Sequence, residues 1–192
     1  MNAMDRQDCI IAATSELIAV NGLAATPMSL VARHAGCGAG TIYRYFETKE
    51  VLIEAVYLSL MARFSSACLD GIDDSGSVKK QLSQFWLNLY HYLRSTPQDA
   101  TLFDQLSVAP AISEELQIAG KATILERITP LLEQGRKDGI IRDLPDDVLG
   151  IFIYGGLSTL LRSNRNQPGL NQSEVTDEMV LSLCWGAVGT HY

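Results

Sequence analysis

The chain has 192 residues, 47% of them hydrophobic and 19% charged, and 22 acids against 15 Lys and Arg leave a net charge of −7. That is enough chain for one or two compact domains with real cores, and the composition excludes a disordered polar segment. The acidic surplus excludes a uniformly basic nucleic-acid binder, because phosphate binding needs cations.

Nothing near the N-terminus marks export: Met1-Asn2-Ala3-Met4-Asp5 carries no basic segment, and Cys9 to Ala13 is too short for the apolar core of a signal peptide. The stretch Val148 to Leu161 falls short of the ~20 apolar residues that cross a bilayer. It also holds Tyr154, Gly155, Gly156, Ser158 and Thr159, so it reads as a buried helix. A soluble, cytoplasmic protein with no membrane partner is the expectation. Cys9, Cys37, Cys68 and Cys184 are scattered without short pairing, which favours reduced thiols over a disulfide framework. His34, His91 and His191 form neither HExxH nor HxxxH, so neither a metal nor another cofactor is expected.

No stretch sustains two-residue alternation, and nearly every segment reads as helix. Asp5 to Asn21 puts Ile10, Ala13, Leu17 and Val20 on one face and stops at Asn21-Gly22. Thr26-Pro27 predicts a helix start, with Thr26 as the cap and Pro27 in the first position, where its missing N–H costs nothing. This helix ends near Ala35, before Gly36, and a third short one runs from about Ala39 to Phe46. Thr48 caps a longer helix to about Leu69, carrying Val51, Leu52, Ala55, Leu58, Met61, Ala62 and Phe64. Asp70 to Ser77 is a loop. Val78 to Ser95 is helical, with Leu82, Phe85, Trp86, Leu89, Tyr92 and Leu93 apolar, and Pro97 and Pro110 bound a short helix, Gln98 to Val108. Ser113 to Lys137 is a long helix that Pro130 is predicted to kink or break, ended by Gly139. Asp146 to Ser163 and Ser173 to Gly189 are the last two helices, joined by a loop from Asn164 to Gln172.

Function concentrates between Thr26 and Phe46. Two short helices joined by a glycine-containing turn form a helix-turn-helix, whose second helix can enter the major groove. Ile42 and Phe46, four apart, face the core of the head; Thr41, Arg44 and Tyr45 then lie toward the other side, with Tyr43 at the flank. Hydroxyl and guanidinium donors of this kind suit phosphate oxygens and base edges. Local charge agrees. Between Arg33 and Lys49 the cations are Arg33, Arg44 and Lys49 and the only acid is Glu47, whereas downstream acids such as Asp70, Asp73, Asp74, Glu114, Glu115 and Asp143 dominate. Such an asymmetry can turn the correct end toward DNA. Lys49 stands in the first turn of a helix, where a cation is unfavourable by ~0.3–1 kcal/mol. A phosphate there would reverse the sign, and a solvated lysine beside Glu47 and Glu50 is the plain alternative.

The run Gly-Thr-Ile-Tyr-Arg-Tyr-Phe-Glu-Thr-Lys-Glu-Val-Leu, from Gly40 to Leu52, closely resembles the signature of the TetR family of regulators. Val31-Ala32-Arg33-His34-Ala35-Gly36 resembles the family's first helix-turn-helix helix and turn, and Asn21-Gly22 falls where the family ends its first helix. The resemblance is specific over Ile10 to Leu52. It implies an all-α fold, with a three-helix DNA-binding head over residues 1–47 and a larger helical ligand-binding and dimerisation body over 48–192. By that resemblance Gly40, Thr41, Tyr43, Tyr45 and Lys49 match positions that touch DNA, mostly its backbone. Ala39, Thr41 and Arg44 fall where base contacts arise, and Met28, Ser29 and Arg33 also reach the duplex. Cys37 departs from the common valine of the turn and Gly38 from the common serine cap, though glycine still caps tolerably. Cys37 reads as a small apolar residue rather than a redox switch, since only His34 stands by to activate it.

Beyond Leu52 the resemblance implies architecture more than residues. It places a small apolar or aromatic effector in the body, where Met61, Phe64, Cys68, Phe85, Trp86, Tyr90, Phe103 and Tyr154 are candidate lining and His91, Tyr90, Arg94, Gln105 and Tyr154 candidate polar contacts. Ordinary core is the plain alternative for each. It also pairs the last two helices across a two-fold axis, with Gly156, Leu160, Val180, Leu183, Cys184 and Ala187 as the candidate homodimer interface. The implied function is a ligand-responsive regulator, a repressor that binds a near-palindromic operator in double-stranded DNA and is released by its effector. The competing expectation is a helical ligand-binding protein whose head no longer grips DNA, supported by the acidic balance. No nucleophile elbow, phosphate loop or metal spacing supports an enzyme, and no catalytic residues are assigned.

Overall fold

The computed structural model describes residues 3–166 and 175–190, with side chains described over 6–162 and 175–190. Nine helices run through these residues: α1 (Ala3–Asn21), α2 (Met28–His34), α3 (Ala39–Tyr45), α4 (Lys49–Leu69), α5 (Val78–Ser95), α6 (Pro97–Leu106), α7 (Glu114–Lys137), α8 (Asp146–Asn166) and α9 (Asp177–Val188). Among the described residues the only β pairing is one antiparallel bridge, Ile141 with Gly189, and the fold is all-α with an N-terminal helix-turn-helix. Residues 167–174, where most of the expected loop falls, and His191 lie outside the described residues.

Contacts divide the chain into two units. The first runs through Arg63 and adds Thr96–Lys121; the second takes Phe64–Ser95 and the chain from Ala122 onward. Most of α4, all of α6 and the start of α7 group with the three-helix head in this division.

In the first unit α1 buries Ile10, Ala13, Thr14, Leu17 and Ile18, the i, i+3, i+4 stripe of an amphipathic helix. Val20 was expected on that face and is instead 75% exposed, since the stripe drifts past it toward Ile18. On α4 the inward set is Leu52, Ile53, Val56, Tyr57, Leu60 and Met61, while the expected Val51 and Leu58 are exposed. By length and composition α4 could cross a membrane, yet half of its apolar window is buried inside the protein, as in a core helix. Burial raises the Tyr57 hydroxyl above its ordinary pKa. Gly120 of α7 matters here: a Cβ on it would stand 2.8 Å from the Tyr57 ring, so only glycine permits this approach. Arg63 of α4 donates to both oxygens of Asp99 on α6, at 3.3 and 3.0 Å.

In the second unit α7 continues as one α-helix through Pro130, so that of the expected kink or break the break does not occur, and it buries Ile128, Leu131 and Leu132. Its last turn passes against Ile141 at Gly135, where a Cβ would collide. Thr176 caps α9, its hydroxyl accepting the Met179 amide at 3.3 Å; Ser173, the expected start, lies outside the described residues. The rings of Trp86 and Trp185 meet edge-on at 4.8 Å, and the Trp185 indole N–H donates to Ser83 at 2.9 Å, which ties α9 to α5.

Candidate nucleic-acid interface

The helix-turn-helix is built by backbone bonds that its residue types permit. Helix α2 ends in a glycine-centred cap: Gly36 sits at φ +62, its amide donates to Arg33 O at 3.3 Å, and the Cys37 amide donates to Ala32 O at 2.9 Å. That turn releases the chain into α3, which Gly38 opens in extended conformation. The start of α2 differs from expectation. Pro27 itself is the cap, its carbonyl accepting the Leu30 and Val31 amides, while Thr26 is buried and its hydroxyl donates to Gly22 O at 2.8 Å. Thr48 does cap α4, accepting the Val51 amide at 3.3 Å.

Helix α3 is anchored by Ile42 and the residue after it by Phe46, 0% and 2% exposed. The opposite side is open: Ala39, Gly40, Tyr43 and Arg44 are exposed, with Tyr43 at 53%, and Thr41 and Tyr45 are half-buried. Ser29 and Arg33 are exposed on α2 and Met28 is half-buried. Every residue singled out as a DNA contact therefore keeps surface available, while their helical neighbours Val31, Ala32 and Ile42 hold the core.

Lys49 has a partner that its position in sequence hides. Its ammonium reaches back and donates to the Leu23 carbonyl at 3.2 Å. The repulsion expected at a helix N-terminus is thus offset locally, by a carbonyl and by the Glu50 carboxylate next to it. The backbone amide of Glu50 itself and then the Thr48 hydroxyl hold that carboxyl below its ordinary pKa. His34, the one neighbour in sequence considered able to activate Cys37, instead pairs with Glu16 on α1 at 2.9 Å.

In the body the candidates scatter. Met61 and Phe103 fall in the first unit; Phe64, Cys68, Phe85, Trp86, Tyr90 and Tyr154 fall in the second. Of these, Phe64 meets Tyr92 edge-on at 5.5 Å and Tyr154 at 6.5 Å. Two suggested polar contacts are committed elsewhere: His91 is exposed and pairs with Asp177 at 3.2 Å, and Gln105 bonds to the backbone of α1 and the turn after it. Arg94 is exposed. Of the suggested dimer residues, Val180 and Cys184 are buried within this chain's own core, Leu160 and Ala187 are half-buried, and Gly156 and Leu183 are exposed. Sequence periodicity missed the more exposed apolar residues of the same helices, Ile151 at 69% and Phe152 at 68%.

Residues 10–56 match the family model for the N-terminal domain of bacterial regulatory proteins of the tetR family, and residues 77–189 match the tetracyclin repressor-like C-terminal domain. An uncharacterized HTH-type transcriptional regulator of Haemophilus influenzae is 26% identical over 145 residues, 76% of this chain and 75% of that protein. A TetR family transcription regulator from Marinobacter aquaeolei superposes with a TM-score of 0.86 at 21% identity, covering 100% of both chains. The regulator FadR of Bacillus subtilis, solved in complex with stearoyl-CoA, superposes with a TM-score of 0.73 at 22% identity over 94% of this chain and 98% of that one.

Proposed function

Because the chain belongs to the TetR family of bacterial regulatory proteins, it is a DNA-binding transcriptional regulator, and we propose that it acts as a homodimeric repressor released by an apolar effector. The observation that carries DNA binding is the two-sidedness of α3: Ile42 is fully buried while Tyr43 and Arg44 stand in solvent. In this reading α3 lies in the major groove. Arg44 reads a base edge, where arginine can donate two bonds to guanine, and Thr41, Tyr43 and Lys49 hold phosphates. The net charge of −7 is reconciled by placement, since the acids lie mostly outside the segment from Arg33 to Lys49. Work on DNA makes the cytoplasm its place of action.

The dimer rests on the outer faces of α8 and α9. Val148, Ile151 and Phe152 on one, and Met179 and Leu183 on the other, follow i, i+3, i+4 spacing and stand exposed. Side chains this apolar in a cluster mark an interface. Gly155, Gly156 and Gly186 have no neighbour among the described residues within 4 Å of where a Cβ would stand, which leaves room for a second copy to approach. Two heads would then present their α3 helices ~34–36 Å apart, one turn of DNA.

For the effector, the FadR neighbour crystallised with stearoyl-CoA makes a long-chain acyl-CoA the first compound to try. The aromatic group Phe64, Tyr92 and Tyr154, with buried Cys68 and Trp86, offers this chain's apolar surroundings for it. An effector that favours a body conformation whose heads are mis-spaced must weaken DNA binding by the same coupling free energy by which DNA weakens effector binding.

Selection of bound fragments from a pool of random duplexes tests this function. The expected product is an inverted repeat with half-sites about one helical turn apart, and added stearoyl-CoA should release it. A pool that gains no sequence preference would contradict the reading.

A further inference from the structure

Two helices of the head end at a glycine of positive φ, Gly22 after α1 at +88 and Gly36 after α2 at +62, but they finish differently. At the end of α2 the cap closes on itself, with the Cys37 amide bonded to the Ala32 carbonyl at 2.9 Å. The equivalent groups at the end of α1 are the Leu23 amide and the Ile18 carbonyl. There the Ile18 carbonyl accepts the Gly22 amide at 2.9 Å, and the Leu23 amide turns to Oε1 of Gln105 on α6 at 3.1 Å. Nε2 of Gln105 donates to the Ile18 carbonyl at 3.2 Å. A primary amide carries an acceptor and a donor side by side, so Gln105 stands where the missing helix-capping bond would be.

In the next peptide group, across Leu23 from that amide, the Leu23 carbonyl accepts Lys49 Nζ at 3.2 Å and the Thr26 amide at 3.3 Å. An ammonium has three donors, so this bond leaves two for a phosphate while deciding where the charge stands. Helix α6 is itself seated, through buried Leu102 and Leu106 and through the Asp99 pair with Arg63.

We propose that Gln105 is a positioning residue for DNA binding: by completing the cap of α1 from α6, it holds the Leu23 carbonyl under Lys49 and makes phosphate capture by Lys49 depend on where α6 sits. This rests on the DNA-binding reading above. It gives α6 a route to the DNA face through the turn after α1, alongside its ion pair to α4.

A double-mutant cycle on the full-length protein and a selected operator duplex tests it. Gln105→Met keeps length and apolar bulk and removes both hydrogen bonds; Lys49→Ala removes the ammonium. Each single change should weaken binding roughly tenfold, as expected for one lost set of hydrogen bonds. Each should also flatten the salt dependence alike, and the double variant should bind no worse than Lys49→Ala alone. Additive losses, or a Gln105→Met protein that binds as the parent does, would overturn the proposal. Should Gln105→Met lose helical circular dichroism, Gln105→Asn, whose amide is one methylene too short to span both groups, takes its place in the same cycle. Amide exchange in the unaltered protein gives a check free of mutation: the Leu23 amide should be protected, and exchange at the rate of an open loop would overturn the proposal. A parent protein that holds no duplex fails the DNA-binding reading as well, which separates the two failures.

Discussion

The guanidinium of Arg44 lies over the ring of its chain neighbour Tyr45, 5.3 Å from the centroid, and donates to the Tyr45 hydroxyl at 3.3 Å. Successive helical residues point about 100° apart and do not meet by geometry alone, so the long arginine folds back to make this contact. The planar group is then held in the open on α3, beside the Tyr45 hydroxyl, with its remaining N–H donors able to turn toward a base edge.

Arg44→Lys keeps the charge and loses the planar fork. Discrimination between the selected operator and single-base variants of it should fall by about 1–3 kcal/mol at one position per half-site. Affinity for random duplex should change little. Competition binding with labelled operator measures both, and equal loss on every sequence would assign Arg44 to phosphate instead.

The outer face of α8 and α9 predicts the oligomeric state. Phe152→Asp and Leu183→Asp place carboxylates on side chains that are 68% and 63% exposed in one chain, so folding of the chain itself should be preserved. If that face is the dimer contact, light scattering coupled to gel filtration should show monomers at micromolar concentration, with operator affinity strongly reduced. Dimers of undiminished strength would place the contact elsewhere.

Ser65 on α4 and Ser158 on α8 are 4% and 2% exposed, and neither hydroxyl has a hydrogen-bonding partner among the described residues. An unpaired buried hydroxyl has lost its water without return. Ser65→Ala and Ser158→Ala should therefore leave stability unchanged or raise it by up to about 1 kcal/mol, read from urea unfolding midpoints. A clear loss would mean that each hydroxyl is bonded in solution.

Burial pushes the Cys68 thiol up to about 12 and the Cys184 thiol up to about 11, from an ordinary 9.0. Both are held protonated in the folded chain at pH values where the unfolded chain ionises. Their contribution to stability is fully present below pH 9 and is lost as the pH rises toward 11–12. Iodoacetamide at pH 8 should label exposed Cys9 well before Cys68 and Cys184. Equal labelling, followed by mass spectrometry, would contradict their burial.

Most of the head is legible in the sequence because its signals are local. Gly36, Gly38, Thr48 and the pair Ile42 and Phe46 each act within a turn of helix, and each does what its residue type suggests. Thr26 misled because a threonine before proline can cap, while its actual partner, Gly22 O, lies four residues back. Of the kink or break expected at Pro130 the break does not occur, because a proline inside a long packed helix can be tolerated when Ile128, Leu131 and Leu132 are buried around it. Gln105 stood in the sequence only as a candidate polar contact for the effector; its bond to Leu23 spans 82 positions and no pattern marks it. On α9, spacing alone gave a stripe without saying which edge faces its own chain; Val180 and Cys184 turn inward and Leu183 outward.

The most direct test of the whole account is the affinity of the parent protein for its selected operator measured across salt concentration. With Arg33, Lys49 and their two-fold copies on phosphates, the logarithm of the binding constant should fall linearly with the logarithm of salt, with a slope of about −4. A slope near zero, or no binding to any duplex at low salt, would contradict a head that rests on the DNA backbone.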